Sequence, residues 1–186
     1  MTTKREDILV ASLEQFSIRG FDGTTIPMIA NRAGVGAGTI YRYFADKEAL
    51  VNELFQHCMK QLTKVIQIDL QNKSTDEQFR FLFHQFFHFS KQNPHVVRFI
   101  QSQKGMPYLN QDSENAYQNL IDSIERIIIE GQKKEEVYEF PPNVLISFIV
   151  GGIIEVLKLF ESESLEDSTE LIERMGTFVA RAVRID

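Results

Sequence analysis

Apolar positions recur along this chain at steps of three and four residues almost from end to end, and no stretch alternates convincingly between apolar and polar. The pattern predicts an all-α fold of about nine helices. Over 5–19, Ile8, Leu9, Ser12, Leu13 and Phe16 share one side of a first helix. A short second helix opens at Thr24 or Thr25, whose hydroxyl can accept from an unpaired backbone N–H. Pro27 follows in the first turn, where a missing N–H costs little. Ile29, Ala30 and Ala33 give this helix its apolar side, and Gly34 breaks it by entering a left-handed state without a Cβ penalty. A third helix, over 36–44, turns Val35, Ile40 and Phe44 inward and Thr39, Arg42 and Tyr43 outward. Asp46 caps a fourth at Lys47, which runs through Leu50, Leu54, Met59, Leu62 and Ile66, long enough to leave a small N-terminal part and enter a larger one. Asn72-Lys73-Ser74 interrupts the pattern. A fifth helix then runs from Thr75 to Asn93-Pro94, and others cover 95–103, 112–133, 142–161 and 167–184.

Two short helices joined by a glycine-bearing turn make a helix-turn-helix, whose second helix can lie in the major groove of DNA. An ordinary helical hairpin has the same outline, so the surrounding residues matter. The run from Ile8 to Phe55 resembles the N-terminal DNA-binding domain of the TetR family of bacterial transcriptional repressors. The matching positions are Ile8, Ala11, Phe16, Gly20-Phe21, Thr24-Thr25, Ile29-Ala30, Ala33-Gly34-Val35, Gly38-Thr39, Tyr41, Tyr43-Phe44, Lys47-Glu48 and Leu50. Beyond Phe55 the likeness is one of helical layout. The resemblance implies a DNA-binding head over 1–46 and a ligand-binding and dimerisation body over 47–186. It implies a cytoplasmic homodimer that represses from a palindromic double-stranded DNA operator, is released by a small apolar effector, needs no cofactor and is not an enzyme. By the same resemblance Thr24 and Thr25 contact phosphates, and Thr39, Arg42 and Tyr43 meet bases or backbone in the groove. Tyr41 and Lys47 reach further phosphates. One departure stands out: members often carry serine and lysine where this chain has Gly36-Ala37. More of the specificity then falls to Arg42, while Gly36 and Ala37 could bring backbone or a methyl close to a base edge.

Segment 75–90 holds six of the chain's 15 phenylalanines. On a helix, Phe79, Leu82, Phe83, Phe86, Phe87 and Phe89 fill one broad arc. Such an arc is either plain core or the lining of an apolar effector cavity formed by Phe79, Phe83, Phe86 and Phe87. The resemblance favours the cavity. Glu155, set among apolar residues, would suit a cationic ligand, whereas Arg98 would suit a carboxylate or phosphate; the sequence does not choose. The eighth helix is apolar nearly all round, and Gly151-Gly152 permits close approach of another helix. In the ninth, Leu171, Met175, Phe178 and Ala182 form a stripe that Ile172, Val179 and Val183 widen. Packing within the chain would account for both helices. In the family they pair with their copies across a two-fold axis, which places Ile146, Val150, Ile153, Leu171, Met175, Phe178, Val179 and Ala182 at a dimer seam.

Charge refines this division. The chain of 186 residues carries a net charge of −6. Residues 1–50 hold six basic and six acidic side chains, so the negative excess belongs to the remainder. A neutral head predicts weak nonspecific attraction to DNA, with local basic groups and helix N-termini making the phosphate contacts. Cys58 is the single cysteine, which excludes an internal disulfide and fits a reducing compartment. No apolar stretch follows the early charges, so no signal peptide is expected, and the run Val144–Ile154 reads as too short to span a bilayer; no membrane partner is expected. His84 and His88 have a spacing that could present two metal ligands, but they fall with Arg80 on the polar side of their helix. No Glu-x-x-His, zinc-protease motif or glycine-rich phosphate loop accompanies them, so no metal site is expected. The rival reading is a helical-bundle metal protein or enzyme in which 24–44 is merely structural.

Overall fold

The computed structural model describes residues 3–66, 70, 73–166 and 168–185. Among them are nine α-helices: α1 (Lys4–Arg19), α2 (Ile26–Arg32), α3 (Ala37–Tyr41), α4 (Lys47–Ile66), α5 (Thr75–Gln92), α6 (Pro94–Gln103), α7 (Gln111–Lys133), α8 (Pro142–Glu161) and α9 (Thr169–Ala182). The only pairing of extended backbone among these residues is an isolated antiparallel bridge, Val137 to Arg184. The expected break at Asn72-Lys73-Ser74 and the expected start of the ninth helix at 167 lie partly outside the described residues.

Local chemistry fixes most boundaries. Thr3 and Glu6 form a reciprocal capping box at the start of α1. Asp46 Oδ1 accepts from the Ala49 N–H at 2.7 Å at the start of α4, and the Ser168 hydroxyl accepts from the Leu171 N–H at the start of α9. α2 ends where Gly34 takes φ +66°, and the Val35 N–H returns to the Ala30 carbonyl at 3.0 Å. That bond satisfies a carbonyl the helix end would otherwise leave open.

The chain divides into two compact units: Met1–Gln61 with Asn93–Gln118, and Leu62–Gln92 with Asn119–Asp186. In the first, α6 packs on α1, α1 on α2, and α2 on α3. Its core is aromatic: Phe16 lies 6.1 Å from Phe99, and Phe99 lies 6.3 Å from Phe55, between ring centroids. Ile8, Ile29, Ile40, Leu50 and Leu54 are fully buried around it. At an effective gain of about 25 cal/mol per Å² of apolar surface removed from water, such rings dominate the stability of a unit this small.

In the second unit α5 packs against α9 and α8. Two clusters fill it. Phe79, Ile128, Val137, Leu145, Ile146, Ala180 and Val183 form one, and Phe83, Phe87, Ile153, Leu157 and Ile172 form the other. α9 reaches α5 closely because residue 176 is glycine. A Cβ there would sit 2.9 Å from His84 Nε2 and 3.0 Å from a Phe83 ring carbon.

Candidate nucleic-acid interface and the apolar face

The helix-turn-helix is built as the sequence suggests, with two adjustments. α3 is shorter than the expected 36–44. After Tyr41 the backbone tightens into three-residue turns, Arg42 N–H to Thr39 O at 3.3 Å and Tyr43 N–H to Ile40 O at 2.9 Å, which carry Phe44 into the core. The two threonines also separate. Thr25 is exposed and caps α2, accepting from the Met28 N–H at 3.4 Å. Thr24 is buried, and its hydroxyl donates to the Gly20 carbonyl at 2.8 Å. The phosphate contact expected of Thr24 has no free hydroxyl to make it, because that group closes the turn after α1.

Lys47 is likewise engaged. Its ammonium donates to the Phe21 carbonyl at 2.8 Å and the Thr24 carbonyl at 3.0 Å, and lies 4.0 Å from the Phe21 ring centroid. It therefore ties the first turn of α4 to the turn between α1 and α2, which the phosphate role expected of it did not foresee. The outward face of α3 and its following turn carries exposed Gly36, Gly38, Tyr41, Arg42 and Tyr43, with Ala37 and Thr39 half-buried. Open space surrounds the Cβ positions of Gly36 and Gly38. Two ion pairs brace this assembly. Arg5 pairs with Glu53 and lies over the Phe44 ring, and Arg32 forks onto Glu14, holding that carboxyl below its ordinary range.

The phenylalanine arc is mostly core. Phe79, Phe83 and Phe87 are buried in the two clusters of the second unit, and Phe86 is half-buried against one of them. Glu155 does not join these rings. Glu155 is exposed and pairs with Lys158 at 2.6 Å, and Arg98 is exposed on α6. His84 departs from the solvated position expected of it: it is largely covered, 3.3 Å from Glu173 of α9, while His88 remains exposed. Among the described residues no three His, Cys, Asp or Glu side chains gather as a metal site.

The second unit bears an open apolar trough of about 640 Å³ between α8 and α9. Val144, Phe148, Gly152 and Val156 line it from α8, and Leu171, Met175, Phe178 and Ala182 from α9. Phe148 is 77% exposed and Phe178 is 73% exposed. The α9 stripe is the expected one. On α8 the expectation is corrected: Ile146 and Ile153 are buried in the core clusters and Val150 packs against one of them, although Ile153 also touches the trough. Sequence reasoning missed Phe148. Its signal was the step of four through Val144, Phe148, Gly152 and Val156, but a helix apolar on every side gives periodicity no direction. α8 is also, by length and composition, apolar enough to cross a bilayer, contrary to the shorter run expected, and little of it is buried.

Two family models match consecutive parts of the chain. Residues 8–54 match that of the bacterial regulatory proteins of the tetR family, and residues 55–185 that of the tetracyclin repressor-like C-terminal domain. The chain belongs to the TetR family. Its members are DNA-binding transcriptional regulators, and this TetR-family chain is one of them. The nucleoid occlusion factor SlmA of Vibrio campbellii is 28% identical over 166 residues, spanning 86% of this chain and 84% of that protein. A TetR family transcription regulator from Marinobacter aquaeolei VT8 superposes with a TM-score of 0.87 at 21% identity, covering 98% of this chain and 96% of that one. The regulator FadR of Bacillus subtilis, solved in complex with stearoyl-CoA, superposes at 0.72 with 22% identity and 95% coverage of both. These two structures bear on fold alone.

Proposed function

We propose that this TetR-family chain is a ligand-responsive repressor that binds a near-palindromic operator as a homodimer in the cytoplasm. The observation that carries the reading is the outward face of α3 and its following turn. Tyr41, Arg42 and Tyr43 stand exposed there, side by side, while Ile40 before them and Phe44 after them are packed inward. Arg42 reads a base edge, Thr39 and Tyr43 meet bases or backbone, and Tyr41 and Thr25 reach phosphates. Gly36, with open space about its Cβ position, and the short side chain of Ala37 let a base edge come close.

The dimer is formed through the α8–α9 trough. Two large rings left to water, Phe148 on the all-round apolar α8 and Phe178 on the facing stripe of α9, are the composition of a covered surface, and a second copy covers it by two-fold symmetry. A covering protein surface also accounts for α8 being apolar enough for a bilayer, since a buried bundle helix meets the same test.

The effector is a small apolar molecule. The stearoyl-CoA seen with the Bacillus subtilis regulator supports an acyl chain as its class, and Phe86, half-buried and outside the trough lining, is the ring of the arc left to meet it. A ligand favouring a head spacing unlike that of the operator, whose half-sites repeat about every 34–36 Å, lowers DNA affinity by its differential affinity for the two states. The test is to enrich operators from a random duplex pool with the full-length protein, then titrate acyl-CoA esters into the complex. A palindromic consensus, a dimer by sedimentation and release by one chain length are expected. Enrichment of no sequence over the starting pool would refute the repressor reading.

A further inference from the structure

Tyr108, outside the helix-turn-helix, adds to the contacts of Lys47, Arg5 and Phe16 that join the head to the rest of its unit. Tyr108 lies in the loop between α6 and α7, and its ring stacks on Phe21 at 4.0 Å between centroids with 19° between planes. Phe21 sits in the turn after α1, and its carbonyl accepts from both the Thr24 N–H and the Lys47 ammonium. The backbone of Tyr108 is fastened elsewhere: its carbonyl accepts from Asn52 Nδ2 of α4 at 2.8 Å. Asn52 is itself buried, and its Oδ1 accepts from the Asn110 N–H at 2.7 Å and the Ser113 hydroxyl at 2.8 Å. The Tyr108 hydroxyl donates to Gln103 Oε1 at 2.7 Å, which closes the loop onto the end of α6. Tyr108 thus grips α4 through its backbone and the α1–α2 turn through its ring.

We infer that Tyr108 is a positioning residue for operator recognition: its stack on Phe21 fixes the angle at which the helix-turn-helix leaves α4. A buried amide satisfied on every side resists displacement, because each lost partner would leave a polar group unpaired. The loop backbone is therefore the fixed end of the strut, and the aromatic stack transfers that rigidity to the head. Two linked heads gain affinity from each other only when their separation matches the span between half-sites, and a stiff link makes that match sharp while a loose one blunts it.

The inference rests on the proposed two-headed operator binding, and its test separates the two. Full-length protein and the variants Tyr108→Ala, Tyr108→Leu and Tyr108→Phe are titrated onto the enriched operator and onto versions with one or two base pairs inserted between half-sites. The readout is each variant's affinity relative to its own best operator, so a loss of folded protein, which lowers all affinities alike, cancels. The unaltered protein is expected to lose about tenfold or more per inserted base pair, and Tyr108→Phe, which keeps the ring, to behave the same. Tyr108→Ala and Tyr108→Leu are expected to lose about threefold or less. Spacing preference as sharp in Tyr108→Ala and Tyr108→Leu as in the unaltered protein overturns the inference while leaving the repressor reading intact. Failure of both to fold also overturns it, since the stack is then a folding contact. Failure of the unaltered protein to prefer two half-sites over one removes the repressor reading and the inference together.

Discussion

Replacing Phe148 by alanine separates an interface ring from a core ring. Phe148 is 77% exposed on the single chain, so it contributes little to the stability of its own fold. Covering a fully exposed phenylalanine is worth about 1.5–3 kcal/mol, and about three quarters of that gain remains for Phe148 to make at a seam. A two-fold axis presents the ring twice, so the substitution should weaken the dimer by about 2–4 kcal/mol, or about 1.5–3 powers of ten in its dissociation constant. Its effect on unfolding at concentrations where the protein is monomeric should stay within about 0.5 kcal/mol. Sedimentation equilibrium gives the first quantity and urea unfolding the second. Phe87→Ala is the control, because Phe87 is fully buried in a core cluster, and should cost about 3–5 kcal/mol of stability. An unchanged dimer constant for Phe148→Ala, or a stability loss comparable to that of Phe87→Ala, would refute the assignment of the trough as the subunit contact.

Three further outcomes follow from the geometry. Arg42→Ala should cost about 1–3 kcal/mol in operator affinity and relax preference at one base pair per half-site, measured by competition among single-base operator variants; unchanged preference would remove Arg42 as a reader. Lys47→Met should lower stability by about 1–3 kcal/mol through loss of its two carbonyl bonds, whereas a salt slope reduced by about 1 per head with stability intact would restore the phosphate role. Glu14, whose pKa is lowered chiefly by its bond from Arg32, contributes stability above its unfolded carboxylate pKa that is lost as pH falls through the lowered folded value, so Glu14→Gln should flatten the acid limb of a melting-temperature profile; an unaltered limb would show that screening erases this exposed pair.

The sequence by itself determined what short-range physics controls. The cap at Asp46, the turn at Gly34 and the proline start of α8 are written in a few adjacent residues each, and the helix order follows from such signals. The helix-turn-helix was legible for the same reason, since its spacing is local, and so was the α9 stripe, whose opposite face is polar enough to give periodicity a direction. Tertiary structure decided what depends on which neighbour a face meets. α8 is apolar all round, so only the packing of α5, α7 and α9 settles that Ile146 and Ile153 turn inward and Phe148 outward. Thr24 and Thr25 are equivalent as capping residues until the turn after α1 claims one hydroxyl. Lys47 shows no sign in sequence that two carbonyls 23 and 26 residues away await its ammonium. Tyr108 is an ordinary loop aromatic until the chain brings it onto Phe21, a contact across 87 positions that no local pattern encodes.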